Sequence, residues 1–171
     1  VLQLPDGKVL VVGHKGSGSA QDFAVTRHHF DGTLDNTFGT DGKLTIGVLN
    51  DNDKGYRATL QPDGKILLVG HSYNGSNWDL SMVRTSYDGV LDTTFDTDGK
   101  LHIPFSGSDD YGYAVQSLPD GKILIGKPGG AETTDDAGCT WKAEPSIFAD
   151  QDIRAMATAA ESPYPYLIAT G

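Results

Sequence analysis

The stretch Leu60-Gln61-Pro62-Asp63-Gly64-Lys65-Ile66-Leu67-Leu68-Val69-Gly70-His71 decides how this chain folds. It has an earlier copy, Leu4-Pro5-Asp6-Gly7-Lys8-Val9-Leu10-Val11-Val12-Gly13-His14, and a later one, Leu118-Pro119-Asp120-Gly121-Lys122-Ile123-Leu124-Ile125-Gly126. The Pro-Asp-Gly-Lys cores start at 5, 62 and 119, a spacing of 57 residues on both sides. A fixed period of this length marks a repeat architecture, in which each unit buries its apolar surface against the next.

Within each copy, Pro presets φ and Gly takes the turn position that needs φ > 0. A short β-branched run follows, Val9–Val12, Ile66–Val69 or Ile123–Ile125, and reads as a buried strand. A Gly/Ser/Asn-rich loop is expected over His14–Gln21 and His71–Trp78, then a second strand over Asp22–His29 and Asp79–Ser86. A long polar turn comes next, and 23–43 matches 80–100 at eleven of twenty-one positions. Leu44–Ile46 and Leu101–Ile103 make a third strand. Tyr56–Leu60 and Tyr113–Leu118 make a fourth, which leads into the next Pro-Asp-Gly.

Four short strands joined by hairpins form a small antiparallel sheet with two apolar faces. Stacking such sheets around an axis buries both, which is the β-propeller solution. A stacked β-solenoid is the competing architecture, but tight hairpins pair strands antiparallel. The expected fold is an all-β propeller or propeller segment forming one domain. Its repeats run over about 2–58, 59–115 and 116–171, giving roughly three and a half four-stranded blades. Closed propellers have about four to eight blades. A longer chain, or a homodimer, would complete the ring.

Composition narrows function. The 22 glycines and the 37% apolar content fit short strands and many turns, not helices. A net charge of −10 argues against binding phosphate backbones or anionic membranes. No apolar run approaches the roughly 20 residues of a spanning helix, so membrane insertion is not expected. No signal peptide is expected within these residues, since Val1 already lies inside a repeat. The single cysteine, Cys139, excludes an internal disulfide.

The pattern Leu60-Gln61-Pro62-Asp63-Gly64-Lys65-Ile66, Asp79, Val83-Arg84, Asp88-Gly89, Leu91-Asp92, Thr94-Phe95 and Asp98-Gly99-Lys100 resembles the delta-60 repeat. That repeat occurs in large, mostly bacterial, often exported proteins, and the resemblance covers about residues 1–126. Beyond it, Thr134-Asp135-Asp136-Ala137-Gly138-Cys139-Thr140-Trp141 resembles the Asp-box of sialidase-like, sortilin-like and xyloglucanase-like propellers. This implies a structural motif between the third and fourth strands of a blade, carried by Thr134, Asp136, Gly138, Thr140 and Trp141. Together the resemblances imply a secreted or cell-surface protein.

Loops on one face of a propeller surround its channel and carry function. Here these are 13–22, 70–79 and 126–131, with 47–55, 104–112 and 144–152. His14 and His71 share one repeat position, and ring-related histidines could hold a metal. Lys127 stands there in the third copy, and no ligand-spaced cluster accompanies them, so a polar strand end is the plainer reading. Asp51, Asp53, Asp109 and Asp110 occupy matching loops that could hold Ca²⁺. Neither loop follows a calcium pattern, so solvated turns are the plainer reading there. Asx turns account for Asp31, Asp35, Asp41, Asp88, Asp92 and Asp98. Arg27 and Arg84 are expected to pair with Asp22 and Asp79 or their neighbours. Trp78, Tyr73 and Tyr111 could stack on sugar rings. No phosphate loop, zinc pattern or Ser/His/Asp set is present, and no cofactor is expected. The expected function is a non-enzymatic binding or structural module with a protein or polysaccharide partner. The alternative is a carbohydrate-active propeller, lectin-like or hydrolytic through Asp53 and Asp110.

Overall fold

A computed structural model describes residues 1–49, 51–105, 107–134, 140–143, 153–157 and 167–170. The first sheet is the antiparallel meander β1 (Leu2–Gln3), β2 (Val9–Ser17), β3 (Ala20–His28) and β4 (Lys43–Ile46). The second is β5 (Asp53–Leu60), β6 (Ile66–Tyr73), β7 (Trp78–Thr85) and β8 (Lys100–Ile103), with one helical turn, α1 (Asp96–Gly99), before β8. The third is β9 (Ala114–Ser117), β10 (Ile123–Lys127), β11 (Gly130–Thr134) and β12 (Lys142–Ala143). A pair, β13 (Ile153–Ala157) and β14 (Leu167–Thr170), follows. This is a partial β-propeller of four-stranded antiparallel sheets. Among the described residues, no helix is long and apolar enough to cross a membrane.

The four strands of one sheet straddle the sequence repeat. The strand read over Tyr56–Leu60 as the last of its unit opens the next sheet instead, pairing Leu60 with Ile66 and Thr59 with Leu67. The turn forces this. Gln61 and Lys65 close the hairpin at 2.8 Å, Gly64 N–H donates to Gln61 O at 2.9 Å, and Gly64 takes φ 84°. So short a connection cannot carry the chain to another sheet. The same turn recurs at Leu4/Lys8 and Leu118/Lys122, with Gly7 at φ 83° and Gly121 at φ 89°.

The polar stretches expected as loops are partly strand. β2 runs on to Ser17, which pairs with Ala20, and Tyr73 pairs with Trp78 across the 74–77 turn. Main-chain bonding continues past the apolar run because a two-stranded ribbon needs no buried face. In the third sheet the hairpin is as tight as in the first, Lys127 facing Gly130 across Pro128-Gly129.

The second sheet shows why the sheets stack. Ile66, Leu68 and Val83 join Leu10, Phe23, Val25 and Ile46 of the first sheet in one core. Leu67, Val69, Leu80 and Met82 join Val115, Ile123 and Ile125 of the third in another. Strand alternation sends every second residue to each side, and each fully buried aliphatic is worth about 1.5–3 kcal/mol. Two glycines set the approach. A Cβ on Gly55 would sit 2.7 Å from Gly13 O, and one on Gly112 would sit 2.7 Å from Gly70 O and against Leu80. At each of these two interfaces an inner strand therefore lies almost on the second strand of the sheet before it.

A buried ionic latch fixes the other end. Arg27, fully buried, does not pair with Asp22; its Nε donates to Asp35 Oδ2 at 2.6 Å. Its other nitrogens donate to Thr37 Oγ1 at 3.0 Å, to Tyr87 O at 2.6 Å and to Asp88 Oδ1 at 3.3 Å, the last two in the turn that follows β7 of the second sheet. Lys8 Nζ reaches the same Asp35 oxygen at 3.0 Å, and the guanidinium lies 5.0 Å from the Phe38 ring centre. Arg84 likewise takes Asp92 at 2.7 Å, not Asp79, with Lys65 at 2.9 Å and Phe95 at 4.6 Å. Asp35 and Asp92 thus do more than shape Asx turns. A buried guanidinium must be neutralised on the spot, and these carboxylates are the ones its planar fork can reach.

The Thr37 hydroxyl first, then Lys8 and Arg27, hold the Asp35 carboxyl well below the usual carboxylate range, and Thr94, Lys65 and Arg84 do so for Asp92. A depressed folded-state pKa gives stability that is full above the unfolded value, about 4, and lost as pH falls below it. Asp35→Ala should cost about 3–5 kcal/mol in a denaturant titration at pH 7, by leaving Arg27 uncompensated. It should also flatten the loss of stability below about pH 4. Gly112→Ala should cost about 1–3 kcal/mol by overpacking. Thermal scans that leave either variant at the parent Tm would contradict these contacts.

Candidate functional site

The core between the second and third sheets does not end in polar side chains. Continuing the Leu67–Val69 face of β6 by two residues places His71 beyond that core, and it is 3% exposed. Four aromatic rings surround it. Tyr56 lies 4.9 Å away between centroids, Trp78 4.8 Å, Tyr111 4.8 Å and Tyr113 6.5 Å. Tyr111 and Tyr113 stack at 5.7 Å, and Tyr73 meets Trp78 at 5.4 Å. Cations cap the group: Lys54 Nζ lies 4.6 Å from the Trp78 ring and the Arg154 guanidinium 5.2 Å from Tyr113. All four ring-bearing neighbours remain half-buried, so the nest presents aromatic surface to solvent.

The loop before β9 straps the nest down. Asp109 accepts the Trp78 N–H at 2.9 Å and the Tyr111 hydroxyl at 2.7 Å, and Asp110 N–H donates to Trp78 O at 2.6 Å. The Asp109 bond pushes the Tyr111 hydroxyl up to about 12, so it stays protonated and a donor. His71 Nδ1 is buried with no hydrogen-bond partner. Burial, then the positive charges of Lys54 and His14, lowers its pKa to about 4. At neutral pH it is an uncharged ring among rings.

Three of the six candidate residues, His71, Trp78 and Tyr111, therefore come together. His14, at the same repeat position as His71, is exposed. Where the second interface has Tyr73, Trp78 and Tyr111, the first has Gly16, Gln21 and Lys54, which build no aromatic wall. The sequence reading set Lys127 at this position, but Gly126 faces Ala114 as Val69 faces Arg57, so Lys127 stands where Gly70 does; it pairs with Glu132 at 3.1 Å and sits 4.9 Å from the Phe105 ring.

Asp53 and Asp110 turn inward. Asp53 is fully buried and accepts the N–H groups of Val48 at 2.7 Å and Leu49 at 3.3 Å. Burial pushes its pKa up. Asp110 accepts Phe105 N–H at 3.1 Å. Each closes the connection that leads into the next sheet, and neither is brought into the nest. Among the described residues, no group of three or more His, Cys, Asp and Glu is placed to hold a metal.

Of the Asp-box stretch, Thr134 ends β11 and Thr140-Trp141 lead into β12, with Trp141 6.0 Å from Phe105 in an edge contact. It thus occupies the connection between the third and fourth strands; Asp136 and Gly138 lie outside the described residues. The reading from sequence missed Tyr56 and Tyr113 as site residues. Their repetition after Gly55 and Gly112, one period apart, was the available signal.

Residues 4–38 and 61–95 match the family described as Domain of unknown function (DUF5122) beta-propeller. The two matched stretches lie one 57-residue period apart and cover equivalent parts of the first and second sheets. The sheet topology and this double match agree on one class: a β-propeller repeat protein. No curated protein and no solved structure matches the chain.

A histidine whose pKa is lowered by folding binds its proton better when unfolded. Stability should therefore fall as pH drops from about 6.5 through 4 and be regained above it. His71→Phe should remove that part of the pH dependence, and the wild-type His71 ring should titrate by NMR at about 4. Titration at the ordinary value would mean the nest is open to water.

Proposed function

We propose that this chain is a non-enzymatic binding or structural module whose ligand surface is the His71 nest. The observation that carries this reading is the convergence of Tyr56, Trp78, Tyr111 and Tyr113 on one face, with His71 beneath them. Half-buried aromatic rings held by packing offer flat, pre-organised surface at low entropic cost. Such rings suit a sugar ring or an apolar side chain of a protein partner. The delta-60 and Asp-box resemblances support a location outside the cell or at its surface, in a bacterium.

A lectin-like role is the second reading, favoured by the aromatic surface. A hydrolytic role draws no support from Asp53, whose carboxylate is buried and committed to its own loop. Completion of the ring by a second copy or by further repeats draws support from Val11. It is 42% exposed, whereas its repeat equivalent Leu68 is 1% exposed under the first sheet.

Saturable binding to one member of a panel of polysaccharides should weaken at least tenfold in Trp78→Ala, with no hydrolysis products released. Product release abolished by Asp53→Asn or Asp110→Asn would replace the module by an enzyme. Wild-type binding by Trp78→Ala would move the ligand away from the nest.

A further inference from the structure

Rings are not all that the nest offers. Lys54 stands opposite His71 on β5, and its ammonium lies 4.6 Å from the centre of the Trp78 ring. Among the described residues, no carboxylate comes within ion-pair reach of it and no acceptor takes a hydrogen bond from it. Lys8, Lys65 and Lys127, by contrast, reach carboxylates at 3.0, 2.9 and 3.1 Å. The chain has 23 acidic side chains for 13 basic ones. A half-buried lysine left to a ring face is therefore a feature of this place, not a shortage of partners.

The ring face attracts the charge through its quadrupole, but it does not take the three N–H donors as a carboxylate would. Asp109, which straps Trp78, is committed to the Trp78 N–H at 2.9 Å and the Tyr111 hydroxyl at 2.7 Å. The Arg154 guanidinium, 5.2 Å from the Tyr113 ring, brings a second positive charge to the nest. Tyr56, two residues after Lys54, sets its ring 4.9 Å from His71 and edge-on to Tyr113 at 5.9 Å. One strand thus carries an unpaired cation and a flat apolar ring side by side.

A ligand that meets both has an anion rigidly joined to a ring with a C–H face, as a hexuronate does. A neutral sugar would leave the ammonium without an acceptor. An acidic peptide carries its carboxylate on rotatable bonds, whose ordering opposes binding. The net charge of −10 disfavours a densely charged polyanion. Distant charges are screened within about 8 Å at physiological salt, so an isolated carboxylate at the nest feels chiefly Lys54. We infer that the nest binds a glycan through a single hexuronate residue, the carboxylate on Lys54 and the sugar ring against Tyr56. This inference rests on the reading of the nest as the ligand surface and narrows it to one ligand class.

The test uses glucuronosyl-xylotriose and galacturonosyl-rhamnose, each with one negative charge. Calorimetric titration of the whole chain should show one saturable site for at least one of them. The methyl ester of that ligand keeps the ring, loses the charge, and should bind at least tenfold more weakly. Lys54→Met, which keeps the apolar stem, should also lose at least tenfold, while Lys43→Met on β4 should bind as the parent does. The indole N–H signal of Trp78 should shift on binding in the wild-type protein, a readout independent of any variant. No saturable binding of either uronate, equal binding of the ester, or indifference to Lys54→Met would each overturn the inference. Equal binding of a short peptide with one glutamate would overturn the assignment to a sugar. An ester that binds as the acid does, both weakened by Trp78→Ala, would sink this inference and leave the nest as the ligand surface. Uronate binding untouched by Trp78→Ala would remove the nest itself.

Discussion

The guanidinium of Arg27 is the constraint around which the repeat is written. A permanent charge with no solvent exposure must have its donors met and its charge balanced. Asp35, Thr37, the Phe38 ring and Tyr87 O do this together. Four of the eleven identities between 23–43 and 80–100 follow from that need: Arg27, Asp35, Thr37 and Phe38 recur as Arg84, Asp92, Thr94 and Phe95. Because Tyr87 and Asp88 lie in the turn that follows β7 of the second sheet, the latch that shapes the long turn also fastens one sheet to the next. At the other side of the stack, Gly55 and Gly112 let the inner strands close onto Gly13 O and Gly70 O.

The third sheet shows what happens without the latch. Thr133 pairs with Leu124 as Arg84 pairs with Leu67, so a short uncharged side chain stands in β11 where β7 carries the guanidinium. Trp141, in the connection to β12, packs on Phe105 and the second core. With no buried charge on this strand, the partners of the charge are no longer required. The family match agrees, covering the two latched stretches and not the corresponding third one.

Much of the fold was legible because Pro-Asp-Gly-Lys and the β-branched runs after it act locally, and local turn chemistry determines which strands pair. The phase of the sheets was less legible, because a repeat has no marked beginning; only the shortness of the 61–65 turn assigns Tyr56–Leu60 to the following sheet. The partner of Arg27 was misplaced by proximity in sequence: Asp22 is the nearer carboxylate along the chain, but five residues along β3 it points to the opposite face, away from the buried side that Arg27 shares with Phe23 and Val25. The binding face was half legible. His71, Trp78 and Tyr111 announced themselves as loop or strand-end residues, but Tyr56 and Tyr113 read as ordinary strand. Only packing of the inner strands against β6 turns them toward His71. The contrast with exposed His14 makes the general point: one repeat position acquires a different chemistry when its neighbours within the sheet change from Gly16 and Gln21 to Tyr73 and Trp78.

The central claim is that the latch and the two glycine contacts make adjacent sheets one cooperative body. Native-state hydrogen exchange, followed amide by amide, tests it most directly. The account predicts that the core amides of β2–β3 and β6–β7, together with the Gly39 N–H that donates across to Asp88 O at 2.8 Å, open with one common free energy. Opening of β2–β3 and Gly39 at distinctly lower cost than β6–β7 would show that the first sheet is merely leaning on the second, and would contradict it.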